Sequence, residues 1–252
     1  MTTPGITFWK DRIFRKKRFK AYTTKFNGHL LHVHDQASFR LGYKELFKEE
    51  VYKFNSAKTN PYIIDCGSNM GMSVIYFKSL FPKARILAFE ADPYVYRFLN
   101  NNVQSFGLQD VHIQNKAVWN ANAETLSFLA EGGAGGRVQK KSSAFTFVDV
   151  ETIRLKDYLK EEIDFLKIDI EGAENLVIQD CKDELSLVNN LFIEYHSMAE
   201  ENQNLHQILQ VLQEAGFRYH IKDAYTTAYP FLNRNLNFGM DLQLNIFCYR
   251  SK

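Results

Sequence analysis

The segment from Pro61 to Phe77, PYIIDCGSNMGMSVIYF, places one apolar run directly before a Gly-x-Asn-x-Gly turn and a second directly after it. The first run predicts a buried strand and the second predicts a helix. Gly67 and Gly71 remove side chains from the turn, and the first amides of the helix have no partners within the helix. The segment therefore predicts a strand, a turn open to a ligand and a helix, which together form the repeating unit of an α/β sheet.

Strand and helix patterns alternate through most of the chain after residue 61. The first group reads YIID, MSVIYFKSLF, RILAFE, PYVYRFLNNNVQSF and VHIQNKAV, and the second reads IDFLKIDI, AENLVIQDC, NNLFIEYH and NQNLHQILQVLQEAG. The strand patterns FRYHIKDAY and DLQLNIFCYR close the chain. Such alternation requires crossover connections and predicts a mainly parallel, doubly wound α/β sheet.

The two groups are separated by a pattern of a different kind. ETLSFLA and FTFVDVETIRL predict the strands of an inserted β-hairpin, and the glycine-rich run Gly132 to Gly136 lies between them. This run is typical of a loop that closes over a substrate and equally of a slack hairpin connection. The sequence leaves both interpretations open.

The first 60 residues predict an N-terminal extension of the domain at 61–252. KFNGHLLHVHD carries Asn27-Gly28 between apolar positions, which predicts a tight hairpin, and YKELFKEEVYKF predicts a helix. Basic residues crowd the segment from Lys10 to Lys20. They suit contact with an anionic membrane or another anionic partner, or a solvated surface.

Composition limits the classes of protein. The net charge of +2 argues against a general polyanion-binding surface, so no nucleic-acid partner is expected. Cys66, Cys181 and Cys248 are far apart, which disfavours a zinc knuckle or a disulfide framework. No apolar run approaches the roughly 18 residues of a membrane span. A cytoplasmic protein is expected, and the oligomeric state stays open.

The spacing of the turn indicates the kind of ligand. It does not match the G-x-G-x-x-G pattern of dinucleotide-binding proteins, and Asp65 places a carboxylate where a pyrophosphate would lie. A carboxylate there suits the amino group and the positive sulfonium of a methionine-derived ligand. Glu90, at the end of the next strand, is placed to accept both hydroxyls of a ribose.

These motifs resemble those of class I S-adenosylmethionine-dependent methyltransferases, and more narrowly those of the FkbM-type family. The family pattern D-x-G-x-N-x-G is met at residues 65–71. The resemblance continues through FEADP, NKAV, LKIDIEGAE and FIEYH, and LKIDIEGAE is the most specific of these strings. The resemblance implies a Rossmann-like, seven-stranded sheet with an antiparallel last strand, and S-adenosylmethionine as the cofactor.

The same resemblance implies which residues bind the cofactor. They are Asp65, Gly67, Ser68, Asn69, Gly71, Glu90, Ala91, Asn115, Ala117 and Asp169. Of these, Asn115 is equally typical of a turn residue. The neighbouring Asp92 suits the adenine side of the site and, at least as well, the N-cap of the helix beginning at Pro93.

Methyl transfer requires alignment and, for a hydroxyl acceptor, a base. Strand alternation puts Asp169 and Glu171 on one side of a strand, if the strand reaches that far, and Glu194 and His196 on one side of its neighbour. These four are the candidate catalytic residues. His196 is the best base, because its ordinary pKa of about 6.5 is nearest neutrality.

Several residues in and beside this group also have a purely structural interpretation. A histidine at a strand end is often only a hydrogen-bonding residue, and Glu174 is typical of a helix N-terminus. Lys167 suits an ion pair with Asp169, which could itself orient the acceptor, serve as the base or bind the cofactor's amine. The four candidate catalytic residues are also compatible with magnesium or manganese, but no compact ligand spacing demands an ion. The prediction is metal-independent transfer.

The sequence therefore favours an O-methyltransferase that acts on a hydroxyl of a small acceptor, with a sugar of a glycan or glycosylated metabolite as the natural suggestion. The alternatives are an NAD-dependent oxidoreductase and a non-catalytic scaffold that binds a cofactor or a membrane. Methylation of nucleic acid is disfavoured, because no Asn-Pro-Pro-Tyr-type signature is present.

Overall fold

Alternating strands and helices make up most of the protein. The computed structural model describes residues 20–129, 137–138 and 147–250. In chain order the elements are β1 (Tyr22–Phe26), β2 (His29–Val33), α1 (Gln36–Gly42), β3 (Tyr62–Cys66), α2 (Met72–Leu80), β4 (Arg85–Phe89), α3 (Pro93–Ser105), β5 (Val111–Gln114), β6 (Ala117–Trp119), β7 (Thr125–Leu129), β8 (Arg137–Val138), β9 (Phe147–Arg154), β10 (Ile163–Ile168), α4 (Glu174–Asp180), β11 (Val188–Met198), α5 (Leu205–Glu214), β12 (Phe217–Thr226) and β13 (Met240–Arg250).

Seven of these strands form one sheet in the order β12-β13-β11-β10-β3-β4-β5. The strands β11, β10, β3, β4 and β5 pair in parallel. The last strand, β13, runs antiparallel to both of its neighbours, β11 and β12. The predicted Rossmann-like sheet with an antiparallel last strand is therefore confirmed.

Each face of the sheet carries its own hydrophobic core. Successive side chains of a strand point to opposite faces, so Ile63 and Ile64 of β3 belong to different cores. Ile64 packs in the core that includes Val177 of α4 and Ile208 of α5. Ile63 packs in the core that includes Leu99 of α3. Burial on both faces explains why the central strands are continuous apolar runs.

The helix boundaries follow local sequence signals. Asp92 caps α3, because its carboxylate accepts hydrogen bonds from the amides of Tyr94 and Val95 at 2.7 and 3.3 Å. Pro93 occupies the first turn, where its missing N–H costs nothing. The capping interpretation of Asp92 is thus confirmed. Gly216, with φ of +78°, follows the end of α5.

The N-terminal extension folds as a hairpin and a helix. Asn27 and Gly28 form the turn between β1 and β2, both with positive φ, as predicted. The prediction of a helix over residues 43–54 is wrong in its boundaries. Helix α1 begins at Gln36, where Asp35 caps it, and continues as a π-helical segment over Tyr43–Lys48. The helical structure ends six residues earlier than predicted, because Glu50 adopts a left-handed φ of 51°.

The extension shares a core with the sheet. The ring of Phe26, on β1, lies 5.0 Å from that of Phe47 and 6.0 Å from that of Tyr43. It also lies 6.4 Å from the ring of Phe106, which follows α3. Phe26 is 2% exposed and belongs to the same core as Ile63 of β3. The boundary at residue 60 stays a prediction.

The inserted strands form a second sheet in the order β6-β9-β7-β8. The predicted hairpin is present as the antiparallel pair β7 and β9, while the run Gly132 to Gly136 lies outside the described residues. The prediction of one strand over VHIQNKAV is wrong. The chain leaves the central sheet at Asn115, whose side-chain amide donates to the carbonyls of Glu90 and Ala91 at 2.8 and 2.9 Å. After that turn, β6 pairs with β9 instead.

Within the described ranges, none of the helices combines the length and apolar character that crossing a membrane demands. Of the basic segment from Lys10 to Lys20, only Lys20 falls among the described residues, and it is exposed. The predicted contact of this segment with an anionic partner therefore falls outside the described structure.

Replacing Phe26 with alanine tests whether the extension is part of the main core. We expect Phe26→Ala to lower the free energy of unfolding by about 3–5 kcal/mol, because a large buried ring is removed from a packed cluster. Urea unfolding followed by circular dichroism measures this change. Leu30→Ala, at a side chain 46% exposed, is the control and should cost under about 1 kcal/mol. A loss for Phe26→Ala no larger than the control would contradict the shared core.

Candidate active site

The functional candidates meet where parallel strands end together. The turn after β3 and the turn after β10 touch, and the amide of Asp169 donates to the carbonyl of Cys66 at 3.1 Å. Because β10 lies between β3 and β11, this edge also brings the residues at the end of β11 close to the glycine turn. Ligands of open α/β sheets bind at such an edge.

Gly67 allows the two turns to approach. Its φ is +91°, and a Cβ atom at this position would lie 1.9 Å from the backbone oxygen of Asp169. Its amide donates to the carbonyl of Phe89 at 3.0 Å, which fixes the turn against β4. Gly71, with φ of +88°, precedes α2, and a Cβ there would lie 2.8 Å from Leu99. Both glycines of the motif are therefore required by close packing.

Asp65 is fully buried at the end of β3 and supports the turn from beneath. One carboxylate oxygen accepts a hydrogen bond of 2.5 Å from the hydroxyl of Ser73. The other lies 3.4 Å from the ammonium of Lys167 without forming a hydrogen bond. Burial opposes the charge of that ammonium, but Asp169 and Asp65 raise the pKa of Lys167 well above its ordinary value. Lys167 therefore stays charged, and the predicted ion pair with Asp169 is present at 3.1 Å.

Glu90 is held by the backbone on both sides. Its two oxygens accept hydrogen bonds from the amides of Asn69 and Asp92, at 2.8 and 2.9 Å. Asn69 itself adopts a φ of 49°, and its side-chain oxygen accepts from the amide of Met70 and contacts Nε2 of His34 at 2.7 Å. Burial raises the pKa of Glu90 to about 7.

The other predicted cofactor residues lie around this turn. Ser68 donates its hydroxyl to the carbonyl of Asp65 at 3.0 Å and its amide to that of Phe89 at 2.8 Å. Asn115 joins the ends of β4 and β5, as described above, so its interpretation as a turn residue is consistent with the structure. Ala91 and Ala117 pack together in a small apolar cluster.

A cavity of about 310 Å³ opens on one side of the glycine turn. Its floor includes Gly67, Ser68, Asn69, Lys167 and Asp169. Its lining does not include Asp65, Glu90, Ala91, Asn115 or Ala117. The structure thus divides the predicted cofactor residues into a group that lines the cavity and a group that does not.

The four candidate catalytic residues do come together. Nε2 of His196 lies 3.5 Å from Glu171, 3.7 Å from Glu194 and 4.0 Å from Asp169, measured to carboxylate oxygens. The alternation argument is correct for Glu194 and His196, which both belong to β11. For Asp169 and Glu171 its condition, that the strand reaches that far, is not met, because β10 ends at Ile168 and Glu171 sits in a turn with φ of 57°.

Glu174 contacts both the turn that contains Glu171 and the ring of His196. Its carboxylate accepts hydrogen bonds from the amides of Ile170 and Gly172, on either side of Glu171, at 3.0–3.2 Å. One of its oxygens also lies 2.9 Å from Nδ1 of His196. The sequence places Glu174 in the first turn of a helix, which is correct, but it does not indicate these contacts. They stabilise the left-handed residue Glu171 and fix the imidazole ring.

Burial and like charges alter the protonation of the cluster. Burial raises the pKa of Glu171 to about 7 and that of Glu194 to about 8. Burial opposes a charge on the imidazole, but Glu171 and Glu174 outweigh it and raise the pKa of His196 well above its ordinary value. Near neutral pH, the cluster therefore retains protons that isolated carboxylates would already have released.

Several further residues line the cavity, and the sequence does not indicate Glu45 or Gln243 among them. Glu45, on the π-helical segment, is one of them, and burial raises its pKa to about 7. Tyr225 and Phe238 contribute aromatic walls beside β12 and β13. Gln243 of β13 also lines the cavity and donates a hydrogen bond to Glu194. The antiparallel register that pairs Gln243 with His196 is not visible in either strand alone.

Substitution of Gly67 tests the contact between the turns. We expect Gly67→Ala to lower the free energy of unfolding by at least about 3 kcal/mol more than Gly28→Ala, because its Cβ would overlap a backbone oxygen. Gly28 is a matched control, with a similar φ of +84° and no atom within 4 Å of the position that its Cβ would take. Its substitution should cost about 1–2 kcal/mol of backbone strain alone. Equal losses in urea unfolding would show that the close contact is unimportant.

The raised pKa of Glu90 predicts a pH-dependent stability. Between the ordinary value of 4.5 and about 7, the folded protein keeps a proton that the unfolded chain has released. The stabilisation is thus complete below pH 4.5 and is lost as the pH rises through 7. Between pH 5 and pH 8, the wild type should lose about 2–3 kcal/mol more than Glu90→Gln in urea unfolding.

An exposed carboxylate provides the control for this experiment. Glu124→Gln should show the same loss between the two pH values as the wild type, because the Glu124 side chain is exposed to solvent. The prediction is contradicted if Glu90→Gln follows the wild-type curve.

Comparison with known proteins identifies the family of the chain. The Methyltransferase FkbM domain matches residues 65–219. The chain is 31% identical over 214 residues to Methyltransferase sdnD of Sordaria araneosa, covering 69% of this chain and 80% of that protein. It is 27% identical over 178 residues to 2-O-methyltransferase NoeI of Sinorhizobium fredii, covering 62% of this chain and 72% of that protein.

The fold agrees with this match. The crystal structure of Methyltransferase FkbM from Methylobacillus flagellatus KT superposes with a TM-score of 0.52 at 15% identity, covering 82% of this chain and 48% of that chain. The domain match includes the glycine turn, Glu90, the acidic cluster and His196. The chain therefore belongs to the FkbM family of methyltransferases.

Proposed function

We propose that the protein transfers the methyl group of S-adenosylmethionine to a hydroxyl of a small acceptor. The family membership supports methyl transfer, and the name of the relative NoeI, a 2-O-methyltransferase, supports oxygen as the acceptor atom. The observation that carries the proposal is the cavity itself. The glycine turn borders it together with the carboxylates of Asp169, Glu171 and Glu194.

The residues around the turn fit this cofactor. Each oxygen of Glu90 already accepts one backbone hydrogen bond and can accept a second, so both ribose hydroxyls can be bound. Gly67 and Asn69 form the turn around the methionine portion, with Ser68 and Gly71 completing it. Ala91, Asn115 and Ala117 border the adenine. Asp65 acts from beneath the turn, through Ser73 and Lys167.

When bound, S-adenosylmethionine supplies a methyl group on a positively charged sulfur that leaves as a neutral thioether. The carboxylates of the cavity favour that positive charge. The chain has two further tasks, which are to align the acceptor and to accept its proton. The chain would hold the acceptor oxygen in line with the methyl group of a bound cofactor, which would pass to that oxygen while the carbon–sulfur electron pair stays on sulfur. The hydroxyl proton passes to a carboxylate of the chain.

We assign that proton to Glu194 in its deprotonated form, which the raised pKa of about 8 makes a stronger base than an ordinary carboxylate. Its carboxylate lines the cavity and is held by Gln243 from the neighbouring strand. His196 lies behind the carboxylates with a side chain that is 1% exposed, so it reaches the acceptor only through them. The role of His196 as the base itself stays a prediction, and its placement supports a positioning role.

The cavity walls suit a sugar-sized acceptor. A volume of about 310 Å³ is at the lower end of the range for small-molecule sites. Tyr225 and Phe238 offer faces on which a sugar ring can stack, and Glu45 offers a carboxylate for its hydroxyls. We therefore place a sugar hydroxyl first among the acceptors.

Mass spectrometry of an acceptor panel tests the proposal. Sugars, glycosides, phenols and amines are incubated with the protein and methyl-labelled S-adenosylmethionine, and we expect one added methyl group on a hydroxyl. Glu194→Gln should lower the rate of transfer by about 10²–10⁴, because a general base contributes a factor of that size.

Two controls separate catalysis from binding and folding. Glu194→Gln should bind S-adenosylmethionine with wild-type affinity in calorimetry, since Glu194 acts on the acceptor. Glu200→Gln, at an exposed position, should transfer methyl groups at the wild-type rate. Methylation of amines alone would overturn the hydroxyl acceptor, and a wild-type rate for Glu194→Gln would overturn the assignment of the base.

A further inference from the structure

One imidazole nitrogen and two carboxylates converge at the end of β10 and β11. One ligand atom each from Asp169, Glu171 and His196 lie within 4.8 Å of one another. A fourth group, the carboxylate of Glu194, lies 3.7 Å from Nε2 of the same histidine. The residues come from the turn after β10 and from the strand β11, so the fold produces the convergence, and no compact ligand spacing in the sequence demands it.

The histidine is oriented as a ligand. Its side chain is 1% exposed, and Nδ1 lies 2.9 Å from Glu174, itself 1% exposed. With Nδ1–H directed to Glu174, Nε2 is the ring atom that faces the carboxylates, and a cation that binds there would displace the proton that the raised pKa of His196 retains. A carboxylate that holds the far nitrogen of an imidazole is the usual support of a metal-binding histidine. The nearest donor to Nε2 is the amide of Gln243, at a long 3.3 Å.

The two carboxylates each keep an oxygen for a ligand. Lys167 pairs with Oδ2 of Asp169, while Oδ1 is the atom that faces His196. Oε2 of Glu171 faces Nε2 at 3.5 Å, and the described part of the chain donates no hydrogen bond to this carboxylate. Within the described residues, the ion-pair partner of each of these oxygens is His196, which is itself a candidate ligand of the same ion.

The three ligand atoms would need to move only slightly closer together to bind an ion. Ligands at right angles around an ion with bonds of about 2.2 Å lie about 3 Å apart. The distances of 3.5 and 4.0 Å from Nε2 to Glu171 and Asp169 exceed this by only about 0.5–1 Å. Since Glu171 and Asp169 are about one fifth exposed, their side chains can make that movement.

We propose that Asp169, Glu171 and His196 form a binding site for a divalent cation. Oxygen ligands with one imidazole favour manganese over magnesium, which binds mainly through oxygen, and over zinc, which prefers nitrogen and sulfur. Binding of the ion does not depend on methyl transfer. Its part in the reaction, which is to hold the acceptor hydroxyl beside Glu194, rests on the proposed function. Metal-independent transfer, which the sequence predicts, stays a prediction that activity in excess EDTA tests separately.

Titration with Mn²⁺ alone tests the site. The full chain is treated with a chelator, then titrated without cofactor or acceptor, and binding is followed by the loss of the free Mn²⁺ signal in electron paramagnetic resonance. We expect one ion per chain. Glu171→Gln should weaken binding at least tenfold, and Glu174→Gln should weaken it about 10- to 100-fold through the orientation of His196. Glu200→Gln is the matched control and should bind as the wild type does.

A measurement on the wild type makes the test independent of variant folding. Co²⁺ bound to Nε2 should shift the exchangeable Nδ1 proton of His196 far downfield in the proton NMR spectrum. The proposal is overturned if no saturable Mn²⁺ binding occurs, if Glu171→Gln binds Mn²⁺ as tightly as Glu200→Gln, or if Co²⁺ binds without that shift. None of these results decides whether methyl transfer itself occurs.

Discussion

The buried ammonium of Lys167 joins the two halves of the candidate site. It donates to the carbonyl of Gly67 at 2.8 Å and pairs with Asp65 and Asp169 at 3.4 and 3.1 Å. Two carboxylates at adjacent strand ends would otherwise repel each other in a region with little water. A single positive charge between them lets the glycine turn of β3 and the acidic turn after β10 occupy one edge. The approach of Gly67 to the Asp169 carbonyl is possible only in that arrangement.

The sequence predicts the fold well, because its signals are local and repeat. Apolar runs of strand length alternate with helical patterns, and the turn residues Asn27 and Gly28 specify their hairpin. The errors arise where tertiary contacts decide. The break after β5 depends on hydrogen bonds from Asn115 to the neighbouring strand end. The early start of α1 follows instead from the Asp35 cap, which is a local signal outside the apolar pattern.

The sequence predicts where the residues of the candidate site lie better than it predicts the direction in which their side chains point. Because strand ends share one edge, the sequence alone places residues 65, 169, 194 and 196 together. It does not reveal which carboxylates face the cavity, since Asp65 turns inward to Ser73 while Asp169 lines the floor. The contact of Glu174 with His196 depends on the relation of α4 to β11, which spacing along the chain does not reveal.

The walls of the cavity come from outside the segment that defines the family. The family match covers residues 65–219, whereas Glu45 precedes it and Tyr225, Phe238 and Gln243 follow it. The floor, with its glycine turn and acidic cluster, lies within the match. Under the proposed function, the donor side and the acceptor side are therefore built from separable stretches of chain. Exchanging the π-helical segment or the β12–β13 connection between relatives is thus a route to new acceptors that leaves the methyl-donating machinery intact.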